Sequence, residues 1–207
     1  MEYRAVRNRC AVILESLRLP ISHEETLTIL NQTGFKIIKV DIIALARQCI
    51  GTSQYRRGAK SSEAPSVVDC SSFVKWLYAQ RGIWLPRRSI QQLNFGRITG
   101  LNELIVGDLV FVSGRINYYH DDPASGVGHV GIYTGDSRTV IHAAGKKSGV
   151  AETPIDEFIA ENKFRSARRF VPKNAEVLTL ETPASREVEI ADDIRWIALQ
   201  SLPKQTL

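Results

Sequence analysis

Apolar positions in the first half of the chain recur mostly at helical spacing. Val6, Cys10, Ile13, Leu14 and Leu17 fall on one face, which predicts an amphipathic helix ending near Pro20. Ser22 followed by Glu25 is a capping-box pattern that opens a second short helix, through about Leu30, closed by Gly34. Residues 37–50, with Val40, Ile43, Leu45 and Ala46 apolar, predict a third helix ended by Gly51. A polar stretch through Pro65 follows. From Cys70 onward Phe73, Val74, Leu77 and Tyr78 again recur at helical spacing, Gly82 terminates the run, and residues 85–92 begin another short helix.

The pattern then shifts toward strands. Gly107-Asp108 turns the chain into Leu109–Val112, which reads as a buried strand. A loop rich in Gly, Asp, Asn and Tyr occupies 113–128. Two strands follow, at 129–134 and 137–142, with Gly135-Asp136 between them as a tight turn. Thr153-Pro154 with Asp156 and Glu157 marks a helix start with proline at the first helical position, and 164–171 forms a last strand. Beyond Pro172 the chain turns polar, with a weak helix over 190–202. There is no internal repeat or low-complexity tract.

Composition narrows the class. The 207 residues, 43% of them hydrophobic, fit one medium domain with extensions. The net charge of +5 is spread over Arg56-Arg57, Arg87-Arg88, Lys146-Lys147 and Arg168-Arg169, the pattern of a solvated surface or of attraction to an anionic polymer. A nucleic-acid partner would rest on net charge alone and is not expected. No stretch reaches transmembrane length. Arg4, Arg7 and Arg9 precede an apolar run interrupted by Glu15, which is not the pattern of a secretory signal; the expectation is a cytoplasmic protein or one exported by another route. Cys10, Cys49 and Cys70 are far apart and form no C-x-x-C pair, so neither a zinc site nor a disulfide framework is expected.

Cys70 stands at the start of its helix, with Asp69 as the candidate N-cap. A thiol there faces unpaired backbone N–H groups and the positive end of the helix dipole, both of which favour the thiolate. The competing reading is an inert buried cysteine that merely starts a core helix. The histidines bear on the choice. With a two-residue turn at Gly135-Asp136, Thr134 pairs with Ser137 and His129 pairs with His142. Their Cβ atoms then lie roughly 4.5–5.5 Å apart on one face. A four-residue loop keeps both on that face but offsets them, and a three-residue loop separates them. A histidine held in one tautomer by a polar neighbour is suited to act as a base. A metal site is the rival use, with His120-Asp121-Asp122 as the source of a third ligand.

Six motifs in order resemble the NlpC/p60 cysteine peptidases of bacterial cell walls. They are Tyr55-Arg56-Arg57-Gly58, Asp69-Cys70-Ser71-Ser72-Phe73, Leu85-Pro86-Arg87 with Ser89 and Gln92, Gly107-Asp108-Leu109-Val110-Phe111, Gly128-His129-Val130-Gly131-Ile132-Tyr133, and Val140-Ile141-His142-Ala143. The resemblance covers residues 37–172, leaving 1–36 as an N-terminal helical extension and 173–207 as a C-terminal tail. It implies an α+β, papain-like fold with the cysteine-bearing helix packed on a central antiparallel sheet. It further implies Cys70 as nucleophile, His129 as general base and His142 as the group that orients His129. Tyr55 and Ser71 become pocket residues, and Asp69 a position linked to a free amine of the substrate. The implied substrate is a peptidoglycan stem peptide, cut between γ-D-glutamate and a diamino acid, with no metal and no cofactor. The same triad could run an amidase, transpeptidase or acyl transfer; the other alternative, a non-enzymatic binding module with a decayed site, is disfavoured because all three triad positions hold competent residues. The sequence departs from the resemblance in its long loop before Asp69, its long 113–128 loop, and Arg88 where threonine is frequent.

Overall fold

In the computed structural model, which describes residues 2–135 and 137–202, local sequence signals and long-range pairing divide the chain between them. The strands are β1 (Arg9–Ile13), β2 (Lys36–Ile38), β3 (Gln54–Tyr55), β4 (Val67–Val68), β5 (Arg97–Thr99), β6 (Leu109–Val112), β7 (His129–Tyr133), β8 (Thr139–Gly145), β9 (Gly149–Pro154), β10 (Phe164–Arg169) and β11 (Val177–Glu181). The helices are α1 (His23–Gln32), α2 (Ile42–Gln48), α3 (Cys70–Gln80), α4 (Ser89–Gln92), α5 (Ile155–Phe158) and α6 (Ala191–Gln200). Two units result, one from residues 41–78 and 85–173, the other from the segments up to 40, from 79 to 84 and from 174 onward.

The larger unit is built on an antiparallel sheet in the order β5-β10-β6-β7-β8-β9. Alternation along the strands sorts its residues by face. Val110, Val112, Tyr133 and Val140 share one face and pack with Ile155 and Phe158. Leu109, Phe111, Ile132 and Ile141 lie on the other and are wholly buried. With both faces covered, β6 reads as a continuous apolar run. At its entry Asp108 is 2% exposed and takes both arms of Arg169: Nε donates to Oδ1 at 3.0 Å and Nη2 to Oδ2 at 2.7 Å. The Tyr78 hydroxyl donates to the Gly107 carbonyl, tying α3 to the same turn. The Gly107-Asp108 motif is therefore a scaffold joint.

The smaller unit carries a three-stranded sheet, β1-β11-β2, with Cys10, Val12, Leu14, Leu17, Leu30, Phe35, Leu180 and Ile194 in one apolar cluster. Here the expectation of an N-terminal helix fails. Residues 9–13 are a strand and only Leu14–Leu17 makes a 3₁₀ turn. The apolar run from Cys10 to Leu14 fits a buried strand as well as a helix. Pairing with β11, Cys10 opposite Leu180 and Val12 opposite Leu178, decides it. That partner strand lay in the segment read as polar tail. Gly82 comes so close to the backbone of Cys10 that a Cβ there would sit 2.7 Å from it.

Other elements follow their local signals. Ser22 and Glu25 make the reciprocal capping box of α1. The third helix starts later than expected, because residues 36–38 join β11 and Asp41 then caps α2 through the amides of Ile43 and Ala44. Pro154 occupies the N-cap of α5, not its first turn, because 149–154 is strand β9, paired with β8. The weak C-terminal helix is present as α6.

Asp108→Ala is expected to destabilise the protein by about 3–5 kcal/mol, because it strands the Arg169 guanidinium without its buried partner. Urea denaturation reads this directly.

Candidate functional site

The site grows from the cap of α3. The Ser72 amide donates to Asp69 Oδ1 at 2.8 Å and the Asp69 amide donates to Ser72 Oγ at 2.9 Å, a reciprocal cap that fixes the first turn. Cys70 thus opens the helix, partly exposed, as the spacing predicted. The backbone N–H groups of Val130 and Ser71 point at its sulfur. Val130 follows His129 in β7, so the thiol sits at the start of that strand.

The two histidines meet, in the offset form. Ile132 pairs with Ile141 and Tyr133 with Val140, and Thr134 donates its amide to Thr139. The connection is therefore the four residues 135–138 and not a two-residue turn. Gly135 and Arg138 both take positive φ (+85° and +51°), while Asp136 lies outside the described residues. Register places His142 opposite Gly131, two residues along from His129 and on the same face. A Cβ on Gly131 would sit 2.3 Å from Val140 Cγ1 and 3.0 Å from His142 Cβ, so only glycine leaves room for this crossing. His129 Nε2 and His142 Nδ1 are 2.7 Å apart with the rings nearly perpendicular at 82°.

Two neighbours complete the histidine pair. His142 Nε2 lies 3.0 Å from Thr153 Oγ1. Thr153 is the diagonal cross-strand neighbour, since His142 pairs with Ala151. The Phe158 ring packs 4.9 Å from His142 and 5.6 Å from His129, centroid to centroid. The two contacts fit a relay in either sense; the sense that leaves His129 Nδ1 as an acceptor has His129 Nε2–H donating to His142 Nδ1 and His142 Nε2–H donating to the Thr153 hydroxyl. Sequence reading missed Thr153 because 153–154 carried a helix-start signal. It missed Phe158 because nothing local pointed that residue at the histidines.

Electrostatics correct one expectation. Burial pushes the Cys70 thiol up to about 11, and the Asp69 carboxylate pushes it further; the Val130 and Ser71 amides do not offset them. Burial lowers His129 to about 3, with His142 adding to the shift, and lowers His142 to about 4. These shifts favour the neutral thiol and the neutral imidazoles, where the helix terminus alone had suggested a thiolate.

Asp69 is committed internally. Its Oδ1 accepts from Ser71 Oγ at 3.2 Å and Arg87 Nη1 at 3.0 Å as well as from the cap, and Oδ2 accepts from Arg87 Nη2 at 2.5 Å and the Gly58 amide at 3.0 Å. Burial would raise its carboxyl, but Arg87 and Ser72 outweigh that and hold it below the usual carboxylate value. Ser71 Oγ also accepts from Arg87 Nη1 at 2.9 Å. Gln92, fully buried, donates to the carbonyls of Ser71 and Pro86. Tyr55, half-buried and paired in register with Val68, has its phenol raised by burial, then by Cys70 and Asp69, which lie within electrostatic range of it. His120 lies apart from the pair, 3.2 Å from Asn94. Among the described residues no group of three or more His, Cys, Asp or Glu is placed to hold a metal ion.

A thiol and a relayed imidazole on an antiparallel sheet define an α+β protein with the groups needed for nucleophilic catalysis. A model of the NlpC/P60 family matches residues 51–169, and the chain belongs to that family. It is 32% identical over 104 residues to a γ-D-glutamyl-L-lysine dipeptidyl-peptidase of Bacillus cereus, covering 50% of this chain and 29% of that protein. It is 30% identical over 123 residues to the murein DD-endopeptidase MepS/murein LD-carboxypeptidase of Escherichia coli, covering 58% and 57%. The crystal structure of an NlpC/P60 family protein from Bacillus cereus superposes with a TM-score of 0.54 at 28% identity, over 64% of this chain and 40% of that one. The chain therefore spans less than two thirds of the length of these relatives.

Two outcomes are expected. Alkylation of Cys70 by iodoacetamide should accelerate roughly tenfold per pH unit between pH 6 and 9, as the thiolate fraction grows toward a high pKa. A plateau on the acid side would instead reveal a thiolate–imidazolium pair. Thr153→Val removes the acceptor of His142 Nε2–H, and the ¹⁵N shifts of the His142 ring should then move toward a mixture of tautomers.

Proposed function

We propose that the protein is a cysteine hydrolase of bacterial cell-wall peptides, with catalysis in residues 37–172 and with 1–36 and 173–207 as extensions. The observation that supports this reading is the line of contacts from His129 Nε2 to His142 Nδ1 and from His142 Nε2 to Thr153 Oγ1, with the Cys70 sulfur facing the amide of Val130, the residue after His129. The Cys70 proton passes to His129 Nδ1 as the sulfur attacks the amide carbonyl. The amide N–H of Cys70 and a neighbouring donor face the developing oxyanion. His142 stabilises the imidazolium, which its neutral and hydrogen-bonded state allows. His129 returns the proton to the leaving amine as the C–N bond breaks. It then takes a proton from the water that cleaves the thioester, and sulfur leaves as the thiol. Because thiol and imidazole start neutral, the ion pair forms only as the substrate arrives and excludes water.

Tyr55 lines the pocket over the thiol, and Asp69 and Ser71 frame it. A substrate amine at Asp69 shares that carboxylate with Arg87. The bond between γ-D-glutamate and a diamino acid is the preferred target, supported by the name of the Bacillus cereus relative. The Escherichia coli relative is named for other bonds of the same polymer, so fragment masses are the discriminating measurement.

Mass spectrometry of purified muropeptides should show stem-peptide cleavage by the wild type and none by Cys70→Ala. His142→Ala should lower kcat by about a hundredfold, with KM changed less, since it removes the group that orients the base. Cleavage by Cys70→Ala at the wild-type rate would overturn the mechanism.

A further inference from the structure

The strongest unexplained feature beside the site is a pair of exposed arginines held on one tyrosine. Arg57 Nη2 lies 3.5 Å from the Tyr118 hydroxyl, and the Arg88 guanidinium lies 5.6 Å from the centre of the Tyr118 ring. Tyr118 belongs to the long loop between β6 and β7, and backbone bonds with Val127 at 3.0 and 2.9 Å hold it in place. The loop is fastened again by His120 on Asn94 and by the Gly114 amide on Asn117 Oδ1 at 2.7 Å. A Cβ on Gly128 would sit 2.3 Å from the Ile116 carbonyl oxygen, so the turn into β7 is tightly built.

A chain neighbour of each arginine is anchored to Asp69, the residue before Cys70. Gly58, next to Arg57, gives its amide to Asp69, and Arg87, next to Arg88, gives its guanidinium to Asp69. The Asp69 charge is thereby matched by Arg87. The neighbouring Arg56 is matched by Glu63. Among the described residues neither Arg57 nor Arg88 meets a carboxylate. Two like charges thus meet one aromatic side chain without an anion between them, each one residue along the chain from a group bonded to Asp69, the residue before Cys70. Guanidinium groups are planar forks suited to carboxylate, and cation–aromatic packing orients them without neutralising them.

We propose that Arg57 and Arg88, spaced by Tyr118, form a carboxylate clamp that selects substrates carrying a free carboxylate beside the bond cut at Cys70. The clamp rests on Cys70 being the nucleophile and names the substrate as an acidic peptide. The carboxylate is either the α-carboxylate of a γ-linked glutamate or that of the diamino acid on the leaving side.

The first test needs no peptidase activity. Cys70 is alkylated with iodoacetate and, separately, with iodoacetamide, and the product is located by mass spectrometry, since Cys10 and Cys49 are buried. Each reagent loses iodide to the thiolate and differs only in charge. Their rate ratio cancels any change in thiol reactivity or folding. The iodoacetate-to-iodoacetamide ratio should fall roughly tenfold in Arg57→Gln/Arg88→Gln and shrink likewise for the wild type at high salt. A ratio unchanged by the double substitution overturns the clamp. The second test compares kcat/KM on a stem peptide with its carboxamide analogues, one amidated at the glutamate and one at the diamino acid. The clamp requires the wild type to disfavour one of them by a factor that the double variant loses. Equal rates on all three peptides would remove the clamp while leaving the hydrolase intact. No cleavage of any peptide, with the alkylation ratio still shifted, would instead remove the peptide reading and leave an anion-selective thiol.

Discussion

The Asp69 carboxylate is the joint on which the site depends. One group caps the helix that carries the thiol, receives the Gly58 amide from the loop after Tyr55, and receives the Arg87 guanidinium from the segment before α4. A carboxylate this far from water is stable only with such donors, and each donor belongs to a segment that must be positioned for chemistry. The same charge has a chemical effect. Burial is the larger reason that the neighbouring thiol is pushed up, and the Asp69 charge adds to it, so the group that anchors the helix also shifts the thiol.

The imidazoles show the complementary constraint. Their contact comes from the register of β7 and β8 and from the missing side chain at Gly131, which lets His142 lean across the strand. Thr153 and Phe158 then limit what the rings can do, one by hydrogen-bonding His142 Nε2 and the other by packing against both rings. The low pKa values of both rings follow from that enclosure.

Family membership and geometry address different questions here. The family match accounts for the order of the motifs; the contacts explain why those residue types stand there. Gly107-Asp108 anchors Arg169, Arg87 neutralises Asp69, and Gln92 satisfies two buried carbonyls. The 113–128 loop brings Tyr118 to Arg57 and Arg88, and the proposed carboxylate clamp is built there.

Sequence alone determined the elements whose signals are local: the caps at Ser22 and Asp69, the apolar face of α3, the buried strand after Gly107, and the shared face of His129 and His142. These depend on neighbours within a few residues, where spacing and side-chain chemistry suffice. Tertiary structure decided the rest. The run from Cys10 to Leu14 is equally apolar as helix or strand, and only Leu178 and Leu180 of β11, far along the chain, select the strand. The length of the β7–β8 loop needed Arg138 to accept a left-handed backbone, which no residue preference signals. Thr153 joined the histidines because β9 pairs with β8, against its own helix-start pattern. The Cys70 thiol shifts upward, against the helix-terminus expectation, because burial is a property of the packed surroundings, which an argument from the sequence cannot contain.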